Sequence, residues 1–142
     1  RARAAGAAIS IDPASASFLA EIGPRDFLGW TSGADFCFPN SDEAAVLTGT
    51  TDEDEQFRIL GDFYRSVVIK RGPRGAEARR AGLASTAQPP PVIAIDTTGA
   101  GDAFLAGFLA AHLAGKDMTA ALEAGVAAGA WVVTLLGGRP PR

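Results

Sequence analysis

The segment Asp96-Thr97-Thr98-Gly99-Ala100-Gly101-Asp102-Ala103-Phe104 sets two glycines and one carboxylate immediately ahead of an amphipathic run. Upstream, Val92-Ile93-Ala94-Ile95 is apolar and reads as a buried strand. Downstream, Ala103 to Leu113 has helical spacing, with Phe104, Phe108 and Leu109 on one face. Glycine permits the tight bend between them, so the bend is expected at a helix N-terminus. There the N–H groups of Gly99, Ala100 and Gly101 would lack intrahelical acceptors, and the aligned peptide dipoles add partial positive charge. Together they would hold a phosphoryl group without any side chain. Asp102 would repel that anion, yet it is suited to take the proton of an attacking hydroxyl, as phosphoryl transfer to an alcohol requires. An aspartate in a first helical turn is also an ordinary structural residue, and spacing alone leaves both roles open.

Two further constellations could serve the same chemistry. In Asn40-Ser41-Asp42-Glu43 an amide oxygen and a carboxylate lie one helical turn apart, which suits the oxygen-ligated, hydrated shell of Mg²⁺. The same spacing is that of a helix capping box, and a cap can also serve a metal. Lys70 with Gly72 and Gly75 places a cation at a strand end before a turn whose glycines would let the backbone approach a nucleotide. A plain β-turn is the alternative there.

Residues so placed need an alternation of strands and helices to carry them. Ile9 to Ile11 reads as a strand ending at Asp12-Pro13. Ala16 to Ile22 is helical and stopped by Gly23-Pro24, and Phe27 to Trp30 would add another turn. Asp35 to Phe38 is the next strand, closed by Pro39-Asn40, followed by a helix from Asp42 to Leu47 ending at Gly49 and another from Asp52 to Tyr64. Val67-Val68-Ile69 is β-branched throughout and suits a sheet buried on both faces. Ala76 to Arg79 and Leu83 to Ser85 would pair around Gly82, with a Thr86 to Pro91 linker beyond. A last helix is predicted from Thr119 to Leu136, ended by Gly137-Gly138 and Pro140-Pro141. The pattern predicts an α/β fold with right-handed crossovers and a mostly parallel sheet, in which ligands gather at strand C-terminal ends. Asp12, Asn40, Lys70 and the Gly99 to Asp102 bend would each follow a strand.

Composition removes other classes. One domain's worth of chain, 142 residues, is 47% apolar and 20% charged, ordinary for a soluble globular protein. A net charge of −3 offers no basic surface for nucleic acid. Cys37 is the single cysteine, so no internal disulfide forms and a reducing, cytoplasmic setting is expected. His112 has no second histidine to share a metal with. Ala124 to Leu136 is too short for a bilayer span and is broken by Gly125 and Gly129, so no membrane association is expected. The small-residue lead-in from Arg1 to Ala8 reads as a chain entered partway.

The nine residues from Asp96 to Phe104 resemble the second signature of the ribokinase or PfkB family of carbohydrate and nucleoside kinases. Pro39-Asn40-Ser41-Asp42-Glu43-Ala44 resembles that family's Asn-x-x-Glu motif, and Lys70-x-Gly72-x-x-Gly75 its nucleotide-contact segment. The resemblance implies a ribokinase-like fold and ATP-dependent phosphoryl transfer, with Mg²⁺, to a hydroxyl of a sugar or nucleoside. It makes Asp102 the general base and Gly99, Ala100 and Gly101 the anion hole. Asn40 and Glu43 would organise Mg²⁺, and Lys70, Gly72, Gly75 and Asn40 would contact nucleotide. Asp96 and Thr98 would lie where some members hold a monovalent cation such as K⁺. Val126 stands where many members place an asparagine beside adenine, so the base would be held by apolar packing. The resemblance covers residues 1–142 as the C-terminal, ATP-binding part of the family's domain. The N-terminal glycine-rich signature, the sugar-binding strands and the lid have no counterpart, and a full-length parent is expected to form a homodimer. A non-catalytic nucleotide-binding remnant is the other reading.

Overall fold

The computed structural model describes residues 3–138, so the helix stop predicted at Pro140-Pro141 lies outside them. The chain divides into two units, residues 1–71 with 78–84 and residues 72–77 with 85–142.

The first unit alternates as its sequence predicts. β1 (Ser10–Ile11), α1 (Ala16–Ile22), α2 (Pro24–Thr31), β2 (Phe36–Cys37), α3 (Ser41–Thr48), α4 (Glu53–Gly61) and β3 (Ser66–Lys70) follow in order. The hydroxyl of Ser15 caps α1 by accepting from the Phe18 N–H, and Gly23, at φ 91°, ends it. Pro24 then begins α2, because its fixed φ and missing N–H suit a first helical position. The turn expected over Phe27 to Trp30 is thus a full helix. α4 stops at Gly61, short of the predicted Tyr64, where the Asp62 and Phe63 N–H groups turn to the carbonyls of Ile59 and Leu60 and tighten the last turn. β1 pairs in parallel with β2, Ser10 opposite Phe36, and β2 with β3, Cys37 opposite Val67. Leu19, Leu28, Cys37, Leu47, Phe57, Leu60, Val67 and Ile69 form the core beneath them.

The sheet order runs β1-β2-β3-β4-β5, with β4 (Ala76–Arg80) and β5 (Leu83–Ala87) last. Ala81 and Gly82 between them both hold positive φ, 50° and 79°, as a tight hairpin turn demands. β5 runs through Ala87, which shortens the predicted linker.

In the second unit α5 (Ala100–Leu113) and α6 (Met118–Val132) lie antiparallel, and small residues set their separation. A Cβ on Gly107 would meet the Ala124 carbonyl oxygen at 2.6 Å, and one on Gly125 would meet the Phe104 ring at 2.9 Å. Such contacts let two backbones approach closely and bury Phe104, Phe108, Leu122 and Val126. α6 ends at Val132, before the predicted Leu136. The Val133 carbonyl accepts from the Ile95 and Asp96 N–H groups, and the Gly137 N–H donates to Asp96, so neither is left to continue the helix.

One expectation fails outright: Val92-Ile93-Ala94-Ile95 is not a strand. Among the described residues nothing pairs along it, and Ile93 stands 87% exposed. Its β-branched residues satisfy strand propensity, but propensity without a neighbouring strand leaves backbone groups to water. The Gly99 to Asp102 bend therefore does not follow a strand.

A candidate phosphate-binding and catalytic site

The bend is built by Gly99, which caps α5 in the left-handed conformation (φ 78°, ψ 0°) with no side-chain hydrogen bond. A residue with a Cβ is strained there. The Ala100 N–H donates to the Thr97 carbonyl at 3.2 Å, so one of the three amides expected for an anion is already engaged. Among the described residues the N–H groups of Gly99, Gly101 and Asp102 have no acceptor, and these are the donors the helix end offers. Asp102 lies exposed in the first turn of α5, next to those amides in the chain. Behind the turn, a Cβ on Gly129 would lie 3.2 Å from the Ala100 carbonyl oxygen, so α6 backs the helix start closely.

Asp96 fastens this bend. Its Oδ1 accepts from the Thr98 N–H at 2.8 Å and its Oδ2 from the Gly137 N–H at 2.9 Å, joining the loop before α5 to the segment after α6. The Thr98 backbone N–H, then the Thr98 hydroxyl and the Gly137 N–H, hold its carboxyl below the usual carboxylate range. Thr98 itself is exposed. Val126 is buried within α6 and presents no surface to a ligand.

In the first unit the C-terminal ends of β1, β2 and β3 form one lip. Asp12 follows β1, Asn40 follows β2, and Lys70 ends β3, with a parallel bridge between Asn40 and Lys70. Asn40 and Glu43 make the capping box in full: Asn40 Oδ1 accepts from the Glu43 N–H at 2.9 Å and Glu43 Oε2 from the Asn40 N–H at 2.8 Å. Asn40 is exposed, whereas Glu43 is only 2% exposed. Burial pushes the Glu43 carboxyl up, against the opposing pull of the Asn40 N–H and the Lys70 charge.

The chemistry of this donor set suits Mg²⁺ only as a hydrated ion. The ligands are hard oxygens, and one Glu43 oxygen has no hydrogen-bond partner among the described residues. Among the described residues no group of three or more His, Cys, Asp or Glu is placed to hold a metal. Cys37, beneath the lip, is a core thiol whose burial pushes it up to about 12, far from a reactive thiolate.

Sequence reasoning missed two connections, Asp96 to Gly137 and Lys70 to Asp12. Lys70, expected to face a nucleotide, donates from Nζ to Asp12 Oδ2 at 2.6 Å. Asp12-Pro13 after a strand was the only signal, and a partner 58 residues away is invisible to local spacing. In the second unit, Gly75 (φ 82°) has its space filled by its own chain, since a Cβ there would overlap the Ala87 carbonyl oxygen. Gly72 (φ 56°) stays open, with nothing within 4 Å of a Cβ position.

Residues 2–142 match the family described as pfkB family carbohydrate kinase. An ATP-dependent ribose-1-phosphate kinase of Halopiger xanaduensis is 38% identical over 130 residues, which cover 91% of this chain and 41% of that protein. Adenosine kinase from Sinorhizobium meliloti superposes with a TM-score of 0.91 at 25% identity, covering 98% of this chain and 43% of its own. An E. coli protein described as a ribokinase II, solved with ATP and Mg²⁺, gives 0.85 at 29% identity, with coverage of 96% and 45%. The chain thus spans less than half the length of these proteins. Its fold is ribokinase-like, and the chain belongs to the pfkB family of carbohydrate kinases.

Proposed function

We propose that the chain supplies the phosphate-binding and catalytic part of a kinase that transfers the γ-phosphoryl group of ATP to a hydroxyl of a sugar or nucleoside. The observation that carries this reading is the start of α5, where unpaired amides of Gly99 and Gly101 adjoin the exposed carboxylate of Asp102. Amides fixed by the left-handed Gly99 and by the Asp96 fastening need no reorganisation as charge develops on the transferring group. Asp102 takes the proton of the attacking hydroxyl, and Ala100 sets the spacing between the two donors. Asn40 and Glu43 orient the water shell of Mg²⁺, which when bound neutralises phosphate charge. Lys70, Gly72 and Gly75 serve the nucleotide, and Asp96 and Thr98 are the residues for a monovalent cation, K⁺, beneath the bend. Buried Val126 contributes through helix packing to whatever apolar surface meets the base.

Calorimetry with ATP–Mg²⁺, combined with a phosphotransfer assay over sugars and nucleosides, tests the reading. Asp102→Asn is expected to lower kcat by about 100- to 10,000-fold while ATP affinity stays near wild type. Turnover close to wild type rejects Asp102 as the base. A second reading is nucleotide binding without catalysis, in which the bend holds phosphate but no acceptor reaches Asp102. Binding with no turnover on any acceptor would select it.

A further inference from the structure

Asp12 has no part in the reading above, although it holds the Lys70 ammonium at the lip. Lys70 Nζ lies 2.6 Å from Asp12 Oδ2, and the two side chains are only 13% and 20% exposed. Solvent screens such a pair weakly. Glu43, buried, accepts from the N–H of Asn40, which bridges in parallel to Lys70, so a second carboxylate borders the same lip. Among the described residues the ammonium's ion pair is with Asp12. Partly buried ion pairs contribute little net stability once desolvation is counted, so the placement at the strand ends calls for another explanation.

We propose that the Lys70 ammonium is the built-in counterion of Asp12 and occupies the charge position a divalent cation would take, so that Mg²⁺ binds this lip in competition with Lys70. The proposal deepens the assignment of Asn40 and Glu43 to hydrated Mg²⁺ and rests on it. Charge balances in the exchange: a metal ion entering against the carboxylates releases the ammonium, which can then pair with the anion the metal accompanies. Lys70 is in this sense a positioning residue, holding the Asp12 carboxylate in place until the metal arrives.

Titration of the chain with Mg²⁺ alone, without nucleotide, reads the competition directly by calorimetry. Lys70→Met keeps the side-chain stem, removes the charge and is expected to tighten Mg²⁺ binding about tenfold. Lys70→Arg keeps the charge and should leave affinity near wild type. Asp12→Asn retains an oxygen for the Ala14 N–H, which now donates to Asp12 Oδ1, and should weaken Mg²⁺ binding by a similar factor. Should Lys70→Met not fold by circular dichroism, Asp12→Asn still decides, since unchanged affinity there overturns the proposal. Equal affinity in wild type and Lys70→Met overturns the counterion role while sparing Asn40 and Glu43. Binding by none of the proteins overturns both.

Discussion

Glu43 answers to two demands, a cap on α3 that needs an acceptor and a buried setting that penalises charge. Its folded carboxyl titrates above the ordinary glutamate range. A raised value means the folded state holds its proton more tightly, so this contribution to stability is full below about pH 4.3 and is lost as pH rises through the folded value. Glu43→Gln keeps an acceptor for the Asn40 N–H and removes the charge. In metal-free thermal melts it is expected to match wild type near pH 4 and to gain on it towards pH 7. An advantage that shrinks as pH rises would refute the burial argument. Gly99 makes a second demand on one residue: at φ 78° it meets no steric neighbour closer than Val132 at 3.9 Å, so strain alone decides. Gly99→Ala should cost about 1–2 kcal/mol in denaturant melts. These roles differ in how far spacing reveals them. Asn40-x-x-Glu43 announces a cap, and Gly99-Ala100-Gly101-Asp102 a helix start, because each is local in sequence. The bonds of Lys70 to Asp12 and of Asp96 to Gly137 join distant segments, and no spacing rule reaches them.

At the scale of elements, the crossing of α5 and α6 fixes where the Gly99 to Asp102 bend stands. Gly107 faces the Ala124 carbonyl, a backbone atom that cannot rotate aside. Gly107→Ala would raise helix propensity, yet overlap at 2.6 Å should outweigh that gain and destabilise the chain by about 1–3 kcal/mol. Urea unfolding measures the difference, and a more stable variant would show that the helices separate freely. Helices were readable from sequence because their caps and breakers lie in line: Ser15, Asp52 and Asp117 each accept from an N–H three residues on. Gly23-Pro24 does end α1 as its sequence predicts, and Pro24 also opens α2, since proline suits the first turn of a following helix as well as it ends a preceding one. The short parallel strands were legible from β-branched runs, but Val92 to Ile95 carried the same signal and formed none. A strand is a property of two segments, and sequence displays only one of them.

The whole chain carries a net charge of −3 on 142 residues, too little to keep exposed apolar surface apart by repulsion. In the second unit Ile93 is 87% exposed, Ile95 62% and Leu136 81%. An exposed, β-branched segment outside any sheet is a template for pairing with another chain. The ribose-1-phosphate kinase and adenosine kinase that this chain resembles are each more than twice as long, and their further polypeptide is one with which such a segment could pair. Where the chain stands alone, a second copy is the available partner. Sedimentation velocity is therefore expected to show association growing through the micromolar range, and Ile93→Lys with Ile95→Lys to shift the population towards monomer, since charge on an unpaired edge opposes pairing. Leu113→Lys, a comparably exposed apolar position at the end of α5, serves as the control and should leave association unchanged. Equal loss of association in the control would trace the effect to net charge. A chain that stays monomeric throughout would mean that water satisfies the 92–94 backbone, beside the Ile95 N–H that donates to the Val133 carbonyl.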